Sequence, residues 1–227
     1  MKTIAWTSIG LALVCAGWIA GDEIRRPQRM AVMNAVWPLS ALYLSVVAAF
    51  GYRRFGRSKD EMSNRQHGGD SSGRTNSRTP SFLQVAIATS HCGAGCALAD
   101  ILCDFFIATK RISVFGSPLW AEFSIDLAGA WLLGIVFQYF SIKPMRDLSA
   151  TQAIVAAVKA DTLSIVAFQV GMYAWMALTY FVFFSGPHLT AFDPRYWLMM
   201  QIAMICGFAT SFPMNWRLLH VGLKEAM

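Results

Sequence analysis

The stretch FLQVAIATSHCGAGCALADILCDFFIA, Phe82 to Ala108, decides the fold. It is longer than the roughly 20 mostly apolar residues that cross a hydrocarbon layer. In lipid its backbone groups must be satisfied within the segment, so a helix is expected. Five further runs of similar character lie outward from it, at 3–20, 30–51, 118–141, 162–185 and 196–219. The chain of 227 residues is 56% hydrophobic and only 14% charged. A soluble domain carries about a quarter charged residues. The expectation is an all-α, polytopic membrane bundle of about six transmembrane helices.

The net charge of +6 is gathered at the ends of the apolar runs and in one polar loop. No basic helix with interleaved aromatics lies outside those runs, which argues against nucleic acid. Trp18, Trp37, Tyr52, Trp120, Tyr139, Tyr196 and Trp216 mark run ends in the manner of an interfacial belt. Lys2 and the apolar run after it resemble a signal peptide. Trp18 at the exit, and Val14 before Cys15, favour an uncleaved helix. With six spans and the N-terminus inside, 13 Lys and Arg fall inside and six outside. Both termini are then expected in the cytoplasm.

Residues 56–80 are rich in Ser, Gly, Asn and Arg, and His67 lies among them. They are expected to form a disordered basic cytoplasmic linker. It would divide a two-helix N-terminal membrane unit, 1–55, from a four-helix membrane domain, 81–227. Residues 149–160 are weakly amphipathic and suit an interfacial lead-in that leaves Lys159 and Asp161 at headgroup level. The alternative is one long helix with both residues inside the bundle.

The chemistry concentrates in the third and fourth runs. Cys92, Cys96 and Cys103 fall on one helical stripe, with Asp100 and Asp104 beside it. His91 points elsewhere on an ideal helix, and Gly93 and Gly95 permit either close helix packing or a local unwinding that turns it inward. Glu122 and Asp126 share a face of the returning helix, so an antiparallel hairpin brings four carboxylates into two adjacent layers. Protons, a bound cation or a basic side chain such as Lys110 or Arg111 must compensate them. Met172, Met176, Met199, Met200 and Met204 cluster in the last two runs. Gln201, Met204, Phe208, Ser211 and Asn215 make a polar stripe, and Pro213 is expected to kink its helix. His91, Cys92 and Cys96 are the candidate metal ligands, suited to Cu(I) with a Met or to zinc with an Asp. Lys159, Asp161, Gln201 and Met204 are secondary candidates. Cys15 and Cys206 read as buried thiols. No nucleotide or flavin fingerprint is present.

The motifs SHCGAGC (90–96) with Asp100, GIVFQYFSI (134–142), PMR (144–146), KADTLS (159–164) and MQIAMICGFATSFPMNW (200–216) resemble the bacterial and archaeal membrane family catalogued as domain of unknown function 4396. MAVMNAVWP at 30–38 is similar to that family's leading region. The resemblance implies a multi-pass protein of the bacterial inner membrane and supplies no catalytic residues. Three functions stay open. One is a protein that binds or moves a soft metal ion through midplane thiols and an acidic vestibule. Another is a proton-coupled transporter using Asp100, Asp104, Glu122 and Asp126. The third is an assembly factor in which SHCGAGC is a packing motif. Partners are the lipid bilayer and a metal ion or small solute, and a homodimer suits so small a unit.

Overall fold

A computed structural model of the chain describes residues 1–28, 30–56, 80–142, 150–186 and 188–224. Among them the secondary structure is helical: α1 (Lys2–Arg25), α2 (Met33–Leu44), α3 (Val46–Gly51), α4 (Phe82–Lys110), α5 (Pro118–Ile142), α6 (Ala150–Leu178) and α7 (Pro194–Val221). A π-helical turn extends α3 over Tyr52–Gly56 and another extends α6 over Thr179–Phe183. Five helices, α1 and α4 to α7, are long and apolar enough to cross a membrane. Most of the linker expected at 56–80 lies outside the described residues, as does the PMR motif.

Local signals start and stop these helices. Ser81 caps α4 through a reciprocal pair, its hydroxyl accepting from the Gln84 N–H at 3.3 Å while the Gln84 side chain accepts from the Ser81 N–H at 2.8 Å. Asp193 caps α7, with Pro194 in the first turn where its missing N–H costs nothing. Gly222, at φ 74°, ends α7 in the left-handed conformation and turns the chain back so that the Leu223 and Lys224 N–H groups donate to the Leu218 carbonyl. The helix continues through Pro213.

The run 30–51 corrects the expectation of six spans. It turns back on itself at Ser45, where φ is 45°. Trp37 on α2 packs against Tyr52 at 5.7 Å between ring centroids, and a Cβ on Gly56 would meet the Trp37 ring at 2.6 Å. A continuous helix would hold Trp37 and Gly56 far apart at 1.5 Å per residue. The Gln28 side chain also donates to the Gly56 carbonyl at 2.6 Å, so the chain enters and leaves this segment at one end of the bundle. α2 and α3 are therefore the arms of a re-entrant helical hairpin. Near its tip the Leu42 carbonyl accepts a hydrogen bond from the Gln201 amide at 2.8 Å. Irregular backbone at membrane depth needs such cover.

The hairpin reorders the two ends. Tyr52 donates to Asp22 at 2.9 Å and packs edge-on against Trp18, so α1 finishes where the hairpin begins and ends. Ser8, near the start of α1, donates to Gln201 in the first third of α7 at 2.6 Å. Arg195 hydrogen-bonds Asp193 and holds its carboxyl down to about 2, and Lys2 adds to that pull, so α1 and α7 start side by side. We call this the upper end. The lower end holds Arg25, Gly56, Phe82, Ala150 and Val221. Lys2 and Val221 thus lie at opposite ends, which corrects the placement of both termini on one side.

Close helix contact is built from small residues. A Cβ on Gly95 would meet the Gly134 backbone at 3.4 Å, and one on Gly129 would meet Cys103 Sγ at 2.9 Å, so α4 and α5 cross almost backbone to backbone. The Tyr43 hydroxyl occupies the space over Gly93, which seats the hairpin tip against α4.

Candidate functional site

α4 carries Asp100 and Asp104 one turn apart on its buried face, and α5 brings Asp126 and Glu122 against them. Asp100, Asp104 and Asp126 are 1–2% exposed. Asp126 feels the charges of Asp104, Asp100 and Glu122, and Glu122 that of Asp104, so the four carboxyls form one electrostatic group. Tyr196 of α7 and Asp126 lie beside Asp104. Even so, both oxygens of Asp100 make no hydrogen bond, and no cation pairs with any of the four carboxyls among the described residues. Lys110 and Arg111, the basic partners considered from sequence, form no ion pair with them among the described residues. Lys110 is exposed, and Arg111 lines a cavity at the upper end.

That upper cavity has a volume of about 450 Å³ and reaches down to Glu122, Thr179 and Tyr196. His188 stands at its wall, stacked on Tyr180 at 3.7 Å. A second cavity of about 320 Å³ lies between α1, the hairpin tip, α4 and α7, and Asp100 lines it. The carboxylates therefore run from one cavity, at Glu122, to the other, at Asp100.

Cys92 and Cys96 are buried neighbours under Tyr43, within one apolar cluster that also holds Met172, Met176, Met199, Met200 and Met204. His91 does not join them. α4 is unbroken through Gly93 and Gly95, so of the two roles open to these glycines the structure shows close packing and not local unwinding. His91 instead faces Phe137 of α5 at 5.9 Å and senses the charges of Asp161 and Lys224. Among the described residues no three of His, Cys, Asp and Glu gather as a metal ion would require. Cys103 points at the Ile125 carbonyl, 3.9 Å away.

The lower half holds a different polar group. Residues 150–178 form one helix rather than an interfacial lead-in followed by a span, which corrects the headgroup placement of Asp161. Lys159 is exposed, and Asp161 is fully buried in an ion pair with Lys224 at 3.2 Å. Gly134 makes this possible, because a Cβ there would meet Asp161 Oδ2 at 2.7 Å. One layer away, Ser164 donates to Asn215 at 2.9 Å, Asn215 donates to Ser211, and Ser211 donates to the Ser164 carbonyl at 3.1 Å. Gln201 is tied to Ser8 and Leu42, and Met204 lines the second cavity.

Sequence reasoning missed Tyr43, Tyr196 and Lys224. Tyr196 reads as an interfacial aromatic and Lys224 as a topology charge. The Gly222-Leu223-Lys224 ending was the available signal, since a glycine stop followed by Lys can return that side chain to the bundle.

The fold and this site define a multi-pass helical membrane protein with an uncompensated acid cluster between two cavities. The chain belongs to the family described as a domain of unknown function (DUF4396), which matches residues 81–224, more than half its length. The match begins at the cap of α4 and leaves out the hairpin, including residues 30–38. No curated protein and no solved structure matches the chain.

Proposed function

We propose that the protein is a proton-coupled transporter of a small solute, with Asp100, Asp104, Asp126 and Glu122 as the proton-carrying groups. The observation that supports this is a cluster of buried carboxyls with no cation paired to them among the described residues, in which Asp100 also lacks any hydrogen bond. A charged side chain at the membrane centre costs about 2.5–3.5 kcal/mol or more. Four adjacent carboxylates cannot all stay ionised without compensation. Protons supply that compensation reversibly, and Glu122 in the upper cavity gives them a route in. A broken helix beside the site is a recurring feature of transporters, because it brings helix ends and irregular backbone to a cavity at membrane depth.

Orientation follows from charge. Among the described residues, Lys2, Lys110, Arg111 and Arg195 are the upper-end cations. Arg25, Arg26, Arg53, Arg54, Lys159, Arg217 and Lys224 lie in the lower half, seven against four. The lower end is then cytoplasmic, the upper cavity opens outward, and a bacterial inner membrane suits this arrangement.

The test uses everted membrane vesicles energised to build a pH gradient. A panel of organic cations, organic anions, zwitterions and metal ions is added in turn. At least one class should discharge the gradient with the native protein and not with Asp126→Asn. If no class discharges it, or the variant behaves as the native protein does, proton coupling through this cluster is wrong.

A second function, handling of Cu(I) as cargo, is supported by two thiols and several thioethers in one buried cluster. It requires near-stoichiometric copper after anaerobic loading, lost in the Cys92→Ser/Cys96→Ser variant. Zinc is less well served, because His91 turns away from the thiols.

A further inference from the structure

The second cavity combines features that belong together in a binding site. Its volume of about 320 Å³ is in the range of small-molecule pockets. Its wall is almost wholly apolar and partly aromatic, with Tyr43, Phe105, Trp197, Met200 and Met204 among its residues. Set into this wall is one acidic side chain, Asp100, which is 1% exposed, with both carboxyl oxygens sealed from water and neither hydrogen-bonded. Gln201, the other strongly polar side chain there, is already committed to Ser8 and Leu42. An apolar, aromatic chamber with one unsatisfied carboxylate complements an apolar cation. The rings attract the charge and bury its substituents, and the carboxylate supplies the counter-ion. An anion would be repelled, and a strongly hydrated ion would find no groups to replace its water.

We infer that this cavity binds a lipophilic organic cation, such as a quaternary ammonium or phosphonium, in exchange for a proton on Asp100. This rests on the proton-coupled function proposed above and names its substrate class. Charge balances in the exchange: one cation enters the carboxylate's field and one proton leaves Asp100 to the side from which the cation came, while reprotonation from the upper cavity by way of Glu122, Asp126 and Asp104 expels the cation. Other titratable groups face Asp100. They are Asp104, Cys96 and Cys103 on its own helix, Asp126 on α5 and Tyr173 on α6, and Tyr43 of the hairpin shares its cavity. α1 contributes only apolar residues to this cavity, Ile9, Ala12 and Leu13. The cavity wall includes the hairpin tip at Leu42 and Tyr43, so movement of the hairpin would open or close the chamber.

The test is equilibrium binding of radiolabelled tetraphenylphosphonium to the full-length protein in nanodiscs. Tetraphenylborate, of like shape and opposite charge, is the comparison. Saturable phosphonium binding should weaken about tenfold per pH unit on the acidic side of the exchange, with about one proton released per cation bound. Asp100→Asn should abolish it, Asp100→Glu should retain it, and Trp197→Ala should weaken it at least tenfold with the proton count unchanged. Equal binding of tetraphenylborate, or binding undiminished in Asp100→Asn, overturns the site. Asp100→Glu and Trp197→Ala decide the matter if the Asn variant does not fold: binding indifferent to both would also overturn it. If another solute class discharges the vesicle gradient while phosphonium neither binds nor discharges it, the substrate class is wrong and proton coupling stands. If phosphonium binds at Asp100 and no solute discharges the gradient, the site stands and the transport function falls.

Discussion

Asp161 in the lower half and Asp100 in the upper half are both aspartates on long helices, and both are almost completely buried. Their surroundings are opposite. Asp161 has a lysine at 3.2 Å, a glycine that leaves room for its carboxylate, and a closed Ser–Asn–Ser network one layer away. Asp100 has other carboxyls as neighbours, no hydrogen bond and a cavity in front of it. Burial alone does not separate a structural acid from a working one. Compensation does: a paired buried charge fixes the fold, and an unpaired one must find a proton or a ligand.

The comparison predicts unequal costs for like substitutions. Lys224→Met or Asp161→Asn should each destabilise the protein by about 3–5 kcal/mol, because either leaves a buried partner uncompensated. The double variant should recover much of that loss. Thermal unfolding in detergent checks both, and equal melting of single variants and native protein would remove Asp161 from the structural class. Asp100→Asn and Asp126→Asn should melt at or above the native temperature while losing function.

Gly134→Ala comes next in size. Its methyl group would press on Ile165 and on Asp161 Oδ2, so a loss of about 1–3 kcal/mol is expected. Gly10→Ala, where nothing lies within 4 Å, should be silent in the same assay. Asn215→Ala removes the Ser164 acceptor at 2.9 Å and a donor to Ser211, leaving Ser164 only the longer contact to the Ser211 hydroxyl at 3.3 Å, and should cost a similar amount, about 1–3 kcal/mol.

The smallest effect belongs to the surface pair at the upper end. Arg195 lowers the Asp193 carboxyl from 3.8 to about 2. A lowered carboxyl contributes stability that is present above its ordinary value and lost as pH falls through the lowered one. The start of α7 should therefore loosen between about pH 4 and pH 2, and Asp193→Ala should remove that dependence at a cost of about 1 kcal/mol. Hydrogen exchange at the first turn of α7 reads both.

Much of this was legible in the sequence. The five crossing helices follow from run length and apolarity, and the carboxylate cluster follows from i, i+4 spacing on two antiparallel helices. The hairpin was not legible, because hydropathy counts apolar residues and cannot tell one long helix from two short ones. Pro38 and Ser45 hinted at a break, but only the packing of Trp37 on Tyr52 and Gly56 reveals the reversal. Which of two roles Gly93 and Gly95 play was left open for a related reason. Two glycines permit unwinding, yet here they serve close approach, Gly95 to Gly134 and Gly93 to Tyr43, which keeps the helix regular. Lys224 escaped notice because its burial depends on a left-handed turn after the last helix.

The central claim is that protons compensate the upper carboxylates. Infrared difference spectroscopy of the protein in nanodiscs, titrated through neutral pH in the absence of added metal, tests it directly. The account predicts a carbonyl stretch from a protonated carboxyl that titrates in the native protein and changes in both Asp100→Asn and Asp126→Asn. A spectrum with no titrating protonated carboxyl, identical in native and variant proteins, would contradict it.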